Sequence, residues 1–86
     1  MSYYQVYCKI VELNGEHVKV ACLIDHEIDH IKYRLLDRNI CDGIVDIFVG
    51  NYIRLHITSG PGWMQMDVHS LKISEMHLVR KLLNIE

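Results

Sequence analysis

Two runs of alternating apolar and polar residues flank Asn14-Gly15, and this arrangement constrains the fold more than any other part of the sequence. A period of two is that of a half-buried strand, and Asn-Gly accepts the positive φ angles of a type I′ turn. The sequence therefore predicts an antiparallel hairpin over residues 3–13 and 16–24. Lys9, Val11 and Leu13 are expected on the face opposite the inward-pointing residues, which are Val6, Cys8, Ile10, Val18, Val20, Cys22 and Ile24.

A third alternating run begins at Ile53, directly after a possible turn or bulge at Gly50-Asn51. Ile53, Leu55 and Ile57 point one way, and the polar side chains between them point the other. This pattern predicts a strand that holds His56 near its end, on the face opposite the apolar one. His56 is thus the first candidate for a functional contact, against the alternative of an ordinary exposed strand residue.

Residues 25–36 fit two periods. Ile24, Ile28, Ile31 and Leu35 form a helical stripe, with Asp25 as its N-cap. The second half also alternates as a strand would, and we favour a strand over residues 29–36.

The remaining segments are simpler to interpret. Residues 37–43 and 58–62 contain turn-forming residues, and residues 63–68 alternate as a strand. Ser74 resembles a helix N-cap, and Glu75 suits the first turn of a helix. The apolar stripe that follows predicts a helix over about residues 74–85; its members are Met76, Leu78, Val79, Leu82, Leu83 and Ile85.

About five short strands and one helix, in 86 residues of which 50% are hydrophobic, indicate one compact domain rather than a disordered chain. Closing the strands into a barrel would remove exposed edges. We therefore predict a mainly β fold, a small five-stranded OB-like barrel over about residues 3–69 with a C-terminal α-helix, as a single domain over residues 1–86.

Charge and cysteine content limit the function classes. The formal net charge is −2 and the basic residues are scattered, so the footprint expected of a nucleic-acid binder is missing. Three widely spaced cysteines imply no disulfide framework. The first residues lack the basic start and apolar core of a signal peptide, and no apolar run reaches membrane-spanning length. We therefore expect a cytoplasmic protein with no membrane association.

The segment His26-Glu27-Ile28-Asp29-His30 matches the zinc-protease pattern H-E-x-x-H. On a helix the two histidines could bind one metal while the glutamate activates water. The context is unfavourable because the chain is very short for such an enzyme and no third ligand follows at a diagnostic spacing. The alternative is a solvated edge of mixed charge.

Three further groups have alternative roles. Cys8 and Cys22 fall on the inward faces of the first hairpin, where buried cysteine usually acts as a small hydrophobe. Trp63, Met64 and Met66 form either an adaptable recognition surface or part of the core. Tyr3, Tyr4 and Tyr7 could stack nucleic-acid bases, as on OB-fold surfaces, which makes an OB-fold nucleic-acid-binding module an alternative function.

Three segments in order resemble the HypC/HupF family of hydrogenase maturation chaperones. They are Lys9-Ile10-Val11-Glu12-Leu13-Asn14-Gly15, Val49-Gly50-Asn51-Tyr52-Ile53-Arg54-Leu55-His56 and Lys72-Ile73-Ser74-Glu75. The family pattern is K-V-V-E-I-x-G, then V-G-D-Y-V-x-V-H, then a K-L-D-E helix start. The resemblance implies a small OB-like barrel with a C-terminal helix, which favours the strand over residues 29–36.

The resemblance also implies a non-catalytic chaperone for nickel–iron hydrogenase assembly. Its partners would be a maturation scaffold and the hydrogenase large-subunit precursor, and its cargo iron bearing cyanide and carbon monoxide. The family's iron-associated histidine corresponds to His56, whereas its cysteine after the initiator methionine is replaced here by Ser2. We therefore expect a mobile N-terminus of Ser2, Tyr3 and Tyr4 to bind the partner protein, with His56 as the metal ligand; a homodimer covering the barrel seam is left open.

Overall fold

The computed structural model describes residues 2–23 and 31–83. One mainly antiparallel β architecture with a single C-terminal helix confirms the predicted fold class. The strands are β1 (Ser2–Leu13), β2 (His17–Leu23), β3 (Ile31–Asp37), β4 (Tyr52–Gly60) and β5 (Trp63–Ser70). A short 3₁₀ helix spans Arg38–Ile40, and the α-helix, α1, spans Ile73–Leu82.

The strands form one sheet in the order β3-β2-β1-β4-β5. All four ladders are antiparallel. The first three strands are sequential neighbours and β4 returns beside β1 through the long connection over residues 38–51, which is the Greek-key arrangement. Across residues 2–23 and 31–83 no ladder joins β3 to β5. The sheet is therefore open along that seam, and the predicted barrel is supported only as a partly open one.

The β1–β2 hairpin is confirmed, but two details of its prediction are wrong. Gly15 does not have positive φ. The turn is instead held by the Asn14 side chain, whose Oδ1 accepts hydrogen bonds from the backbone N–H groups of Glu16 and His17 at 2.9 and 2.6 Å. A register shift between Ile10 and Glu12 also reverses the alternation, so that Leu13 packs with the inward residues rather than opposite them.

β3 confirms the strand prediction over residues 31–36, rules out a helix there, and continues one residue further to Asp37, which was predicted as loop. The two faces of this strand do not separate its apolar side chains from its polar ones. Leu36 is the buried residue and shares a face with Lys32 and Arg34, whereas Leu35 on the other face is 62% exposed. The positions of Ile24, His26, Glu27 and His30 lie outside the described residues.

The segments after β3 need two corrections. Thr58 to Gly60 continue β4, so only Pro61-Gly62 forms the turn that residues 58–62 had suggested. Gly62 has φ 75°, the conformation that the second central residue of a type II turn requires. The helix N-cap is Lys72 rather than Ser74; its backbone N–H donates to the Glu75 carboxylate at 3.3 Å.

The two faces of the sheet carry separate apolar clusters. The core face lies under the 38–51 connection, which contributes Cys41, Ile40, Val45 and Ile47. The outer face lies under α1, where Leu23, Val79 and Leu83 are buried together with parts of Tyr7, Ile31, Tyr52, Leu71 and Leu82. The main core-face residues are Cys8, Ile10, Val18, Val20, Cys22, Leu36, Ile53, Leu55, Ile57 and Val68.

None of the helices in residues 2–23 and 31–83 has the length and apolar character needed to cross a bilayer.

Candidate functional site

His56 lies on β4, on the outer face, between Gln5 of β1 and Asp67 of β5. The neighbouring residues Leu55 and Ile57 are fully buried on the core face. The sequence-based assignment of the histidine to the face opposite the apolar residues is therefore correct. This face is rigid here because β4 is paired on both sides along this stretch.

The imidazole of His56 is not openly displayed. Its Nδ1 is 2.8 Å from the Tyr3 hydroxyl oxygen, and the Tyr3 ring meets it edge-on at 5.8 Å. The His69 ring stacks on the other side at 3.9 Å with an interplanar angle of 29°. The other ring nitrogen, Nε2, is buried and has no hydrogen-bond partner among the described residues. The expected outward imidazole is thus half-covered by two neighbouring side chains.

This environment favours the neutral form of the His56 ring. Burial lowers the pKa of His56, and the nearby His69 and the Arg54 guanidinium lower it further, against an opposing effect of the Asp67 carboxylate. In the neutral ring with the proton on Nε2, Nδ1 accepts a hydrogen bond from the Tyr3 hydroxyl. The ring is then a hydrogen-bond donor only through the buried Nε2.

The beginning of the chain is ordered as strand rather than free. Ser2, Tyr3 and Tyr4 are the partners of Ser59, Thr58 and Ile57 on β4. The expected mobile N-terminus is therefore wrong for these three residues, because each is in the β1–β4 ladder. Their side chains nevertheless remain accessible: Tyr3 is 60% exposed and Tyr4 43% exposed.

The β4–β5 hairpin adds two more exposed apolar side chains at the same end of the sheet. Trp63 is the partner of Gly60, and its ring lies so close that a Cβ on Gly60 would be 2.5 Å from the indole nitrogen. Met64 is the partner of Ser59, which is in turn the partner of Ser2. We call Tyr3, Tyr4, Trp63 and Met64 the aromatic end. Met66 is instead partly buried against the core.

The two faces share this end. Tyr3 and Trp63 lie on the outer face, the same face as His56, whereas Tyr4 and Met64 lie on the core face. The structure thus places the three N-terminal residues and the Trp63–Met64 pair at one end of the sheet, with Tyr3 in contact with His56. Tyr7, the third tyrosine of the base-stacking alternative, lies apart from them under α1.

A second polar cluster on the outer face was not predicted. The Tyr7 hydroxyl donates a 2.5 Å hydrogen bond to Glu75 Oε2, and Arg54 Nη1 is 3.8 Å from Glu75 Oε1. The Tyr7 hydrogen bond lowers the pKa of Glu75, and Arg54 and Lys72 lower it further. The same carboxylate raises the pKa of Tyr7. The sequence signal was the placement of Tyr7 and Arg54 on polar-side positions of adjacent strands, but their helical partner was not foreseeable.

The structure confirms that Cys8 and Cys22 both lie on the inward side of the first hairpin. Cys8 and Cys22 are direct partners on β1 and β2, and both are fully buried on the core face. Within the described ranges, no group of three or more histidine, cysteine, aspartate or glutamate side chains is arranged to hold a metal ion. The H-E-x-x-H segment lies at residues 26–30, outside those ranges.

The chain matches no family model, no curated protein and no solved structure. The geometry of the aromatic end and of His56 is therefore the physical basis for a functional assignment.

Proposed function

We propose that this protein is a small non-catalytic chaperone or adaptor that binds another protein through the aromatic end. The resemblance to the HypC/HupF chaperones suggests the first partners to test, a hydrogenase maturation scaffold and the hydrogenase large-subunit precursor. Residual iron binding at His56 belongs to the same hypothesis.

One observation carries the proposal: four large apolar side chains, two on each face, are exposed at one end of a paired, rigid sheet. Their exposures are 60% for Tyr3, 43% for Tyr4, 47% for Trp63 and 55% for Met64. Tyrosine and tryptophan dominate the binding energy of protein interfaces because they bury a large area at a small cost in side-chain entropy. Methionine adapts its shape to a partner surface.

The Tyr3–His56 hydrogen bond prepares this surface for binding. It fixes the tyrosine ring in an edge-on contact with His56, so that less side-chain freedom is lost when a partner covers it. The neutral state of the imidazole favours burial under a partner, since covering a charged ring would cost more. His56 thus acts in this proposal by positioning Tyr3.

The residues around His56 do not suit iron. Its Nδ1 is engaged by Tyr3, and its Nε2 is buried against neighbouring side chains. The residue at position 2 is serine, and a hydroxyl is a poor ligand for iron compared with a thiolate. No step of the proposed function therefore depends on metal.

Charge argues for a protein partner over the OB-fold nucleic-acid alternative. The net charge is −2, and several cations are paired with carboxylates on the protein itself. Lys19 is 3.9 Å from Glu12, and Arg54 is 3.8 Å from Glu75. A nucleic-acid surface needs basic side chains available to replace the counterions of phosphate.

Calorimetric titration with the purified large-subunit precursor, and separately with the scaffold, tests the proposal. We expect Tyr3→Ala and Trp63→Ala each to weaken binding by more than about tenfold, the effect of removing an aromatic anchor. Tyr33→Ala is the matched control, because Tyr33 on β3 is 56% exposed but lies away from the aromatic end. That variant should bind like the unmodified protein.

The remaining outcomes distinguish the protein-binding proposal from the nucleic-acid and iron-binding alternatives. Failure of both proteins to bind would overturn the assignment to hydrogenase maturation. Binding that all three variants retain would overturn the aromatic end as the contact surface. Tight binding of single-stranded DNA or RNA, lost in Tyr3→Ala, would replace the proposal by the nucleic-acid alternative. Stoichiometric Fe²⁺ binding that His56→Ala abolishes would restore the iron role.

A further inference from the structure

The first β-hairpin places two cysteine side chains opposite each other in the core. Cys8 of β1 and Cys22 of β2 are Cα partners in an antiparallel ladder. Directly opposed residues of such a ladder point to the same face, with Cα atoms about 4.5 or 5.5 Å apart depending on the pair type. Both separations fall in the range that a disulfide spans, about 4.4–6.8 Å. The backbone therefore already has the geometry that a disulfide needs.

The sulfur atoms are also in direct contact. Cys8 Sγ is 2.7 Å from Cys22 Sγ, and both residues are free thiols. Bond formation would require an approach of about 0.7 Å, to the usual S–S length of about 2.05 Å. Side-chain rotation alone supplies such a displacement, so the β1–β2 ladder can persist.

The electrostatics assign different roles to the two thiols. The Cys8 thiol donates its hydrogen bond to Cys22 Sγ, which lowers the pKa of Cys22; the Arg34 guanidinium lowers it further, against the opposing effect of burial. Arg34 lies on β3 opposite Val20, on the same face as the two cysteines. Burial and the neighbouring Cys22 raise the pKa of Cys8. This asymmetry favours Cys22 as the attacking thiol and Cys8 as the resolving thiol.

The third cysteine supplies an internal comparison. Cys41 is buried in the same core cluster, but it lies in the 38–51 connection rather than in the hairpin. Burial and the Asp42 carboxylate raise the pKa of its thiol, which disfavours the reactive thiolate.

We propose that Cys8 and Cys22 form a reversible intramolecular disulfide, with hydrogen peroxide as the oxidant and a small thiol as the reductant. The Cys22 thiolate attacks one peroxide oxygen, the O–O bond breaks, and hydroxide leaves while Cys22 becomes a sulfenic acid. The Cys8 sulfur, losing its proton, then attacks the Cys22 sulfur and displaces the second oxygen as hydroxide. With the protons from both thiols, the products are one disulfide and two water molecules. The two thiols lose two electrons, which reduce the peroxide.

The oxidant must be small because both thiols are fully buried. Peroxide is close to water in size and can enter during a local opening of the hairpin, whereas a bulky mixed disulfide would disrupt the core packing. Reduction by an excess of a thiol such as dithiothreitol proceeds through the same local opening and returns two thiols.

The test uses the whole folded chain, treated with hydrogen peroxide, quenched, unfolded in denaturant and alkylated with N-ethylmaleimide. The chain has three cysteines, so we expect only one to be alkylated after oxidation and all three after treatment with dithiothreitol. Peptide mapping should link Cys8 to Cys22. The oxidised chain should also melt at a temperature higher by on the order of 10 °C, because the closed hairpin loses less entropy on folding.

Two variants make the result specific. Cys41→Ala should still form the disulfide, with no thiol left to alkylate after oxidation. Cys8→Ala should form none, because the resolving thiol is gone; its circular dichroism spectrum checks that the sheet persists. The proposal is overturned by full alkylation of the oxidised unmodified chain, by a link to Cys41, or by a disulfide in the unmodified chain that dithiothreitol does not reduce.

Discussion

The core face of the sheet contains aliphatic and cysteine side chains that are fully buried, whereas the outer face combines a smaller apolar cluster with titratable side chains. On the core face, packing and removal of apolar area from water dominate. On the outer face, Tyr7, Arg54 and Glu75 attach α1 to the sheet through charged and hydrogen-bonded groups, and His56 lies between Tyr3 and His69. The two faces should therefore respond differently to pH and to truncation.

The difference also explains where a binding surface can form. The core face is covered by the 38–51 connection, and α1 covers only part of the outer face. The aromatic end lies beyond both covers, where the β4–β5 turn and the start of β1 meet. Large apolar side chains there remain accessible without weakening either cluster.

The largest effect is expected from Leu55→Ala on the core face. Leu55 is fully buried on a strand that is paired on both sides. Removing its side chain should destabilise the fold by about 2–5 kcal/mol through lost burial and the cavity left behind. Urea unfolding, followed by circular dichroism, measures this change.

Leu35→Ala is the matched control for that truncation. Leu35 is 62% exposed on the outer side of β3. Its loss should change the free energy of unfolding by no more than about 0.5 kcal/mol. Equal effects of the two substitutions would contradict the assignment of the core to one face.

The next effect concerns the attachment of α1 to the outer face. Glu75→Gln keeps the side-chain shape but removes the charge that accepts from Tyr7 and faces Arg54. We expect a loss of about 1–2 kcal/mol at neutral pH, because a hydrogen bond to a charged group is worth about 1.5–3 kcal/mol and the glutamine oxygen can still accept a weaker one. Urea unfolding at neutral pH measures it, and Tyr7→Phe in both backgrounds isolates the hydrogen-bond coupling.

The stability lost in Glu75→Gln should depend on pH in one direction. Because the Tyr7 hydrogen bond holds the pKa of Glu75 below its ordinary value of 4.5, the folded state favours the carboxylate. Its stabilising contribution is complete above the ordinary value and disappears as the pH falls through the lowered pKa. The stability difference between the unmodified chain and Glu75→Gln should therefore narrow in acid. A constant difference down to about pH 2 would contradict the role of ionised Glu75.

Local patterns predicted the strands well and their exact registers less well. Alternation located β1, β2, β4 and β5, because a period of two is imposed by the strand itself. The bulge between Ile10 and Glu12 reversed the expected side of Leu13, since one extra residue shifts every following side chain to the other face. No local pattern marks such an insertion in advance.

The sequence predicted which residues belong to the candidate site, but not which of them contact one another. The face of His56 followed from its position between Leu55 and Ile57. Its cover by Tyr3 and His69 depends on the pairing of β4 with β1 and β5, and Tyr3 lies 53 residues away in the chain. The Tyr7–Glu75 contact spans 68 residues. Contacts of this kind arise from sheet order, which neighbouring residues do not encode.

A smaller effect should follow from His69→Asn on the outer face. His69 stacks on His56 and lowers its pKa, second to burial. Removing the second imidazole should move the His56 titration midpoint upward towards its ordinary value of 6.5. The ¹H–¹³C NMR shifts of the ring measure this midpoint. A variant at the exposed His77 of α1, His77→Asn, should leave it unchanged.

The lowered pKa of His56 also determines how this residue affects the stability of the fold as the pH changes. A lowered pKa means that the folded state favours neutral His56, so this contribution is present above the ordinary value and is lost as the pH falls through the lowered one. His69→Asn should therefore reduce the extra acid sensitivity of the outer face. A downward shift of the midpoint would show that the two rings do not repel in their charged forms.

The smallest effect on stability is expected at the aromatic end, from Gly60→Ala. The new Cβ would lie 2.5 Å from the Trp63 indole nitrogen, so the ring must move. Because Trp63 is already 47% exposed and Gly60 has no positive φ, the ring can turn outward while the strand keeps its backbone. We expect a change of no more than about 0.5 kcal/mol in stability, as at other surface positions, with a red-shifted fluorescence of the only tryptophan.

Gly15→Ala controls for the general effect of adding a methyl group, because nothing lies within 4 Å of a Cβ at Gly15. That variant should leave the emission unchanged. Unaltered emission in Gly60→Ala would mean that the tryptophan does not rest on the outer face of β4. Emission that shifts while stability stays constant would show that this end, unlike either covered face, exchanges side-chain positions at little cost, which is the property that an adaptable binding surface needs.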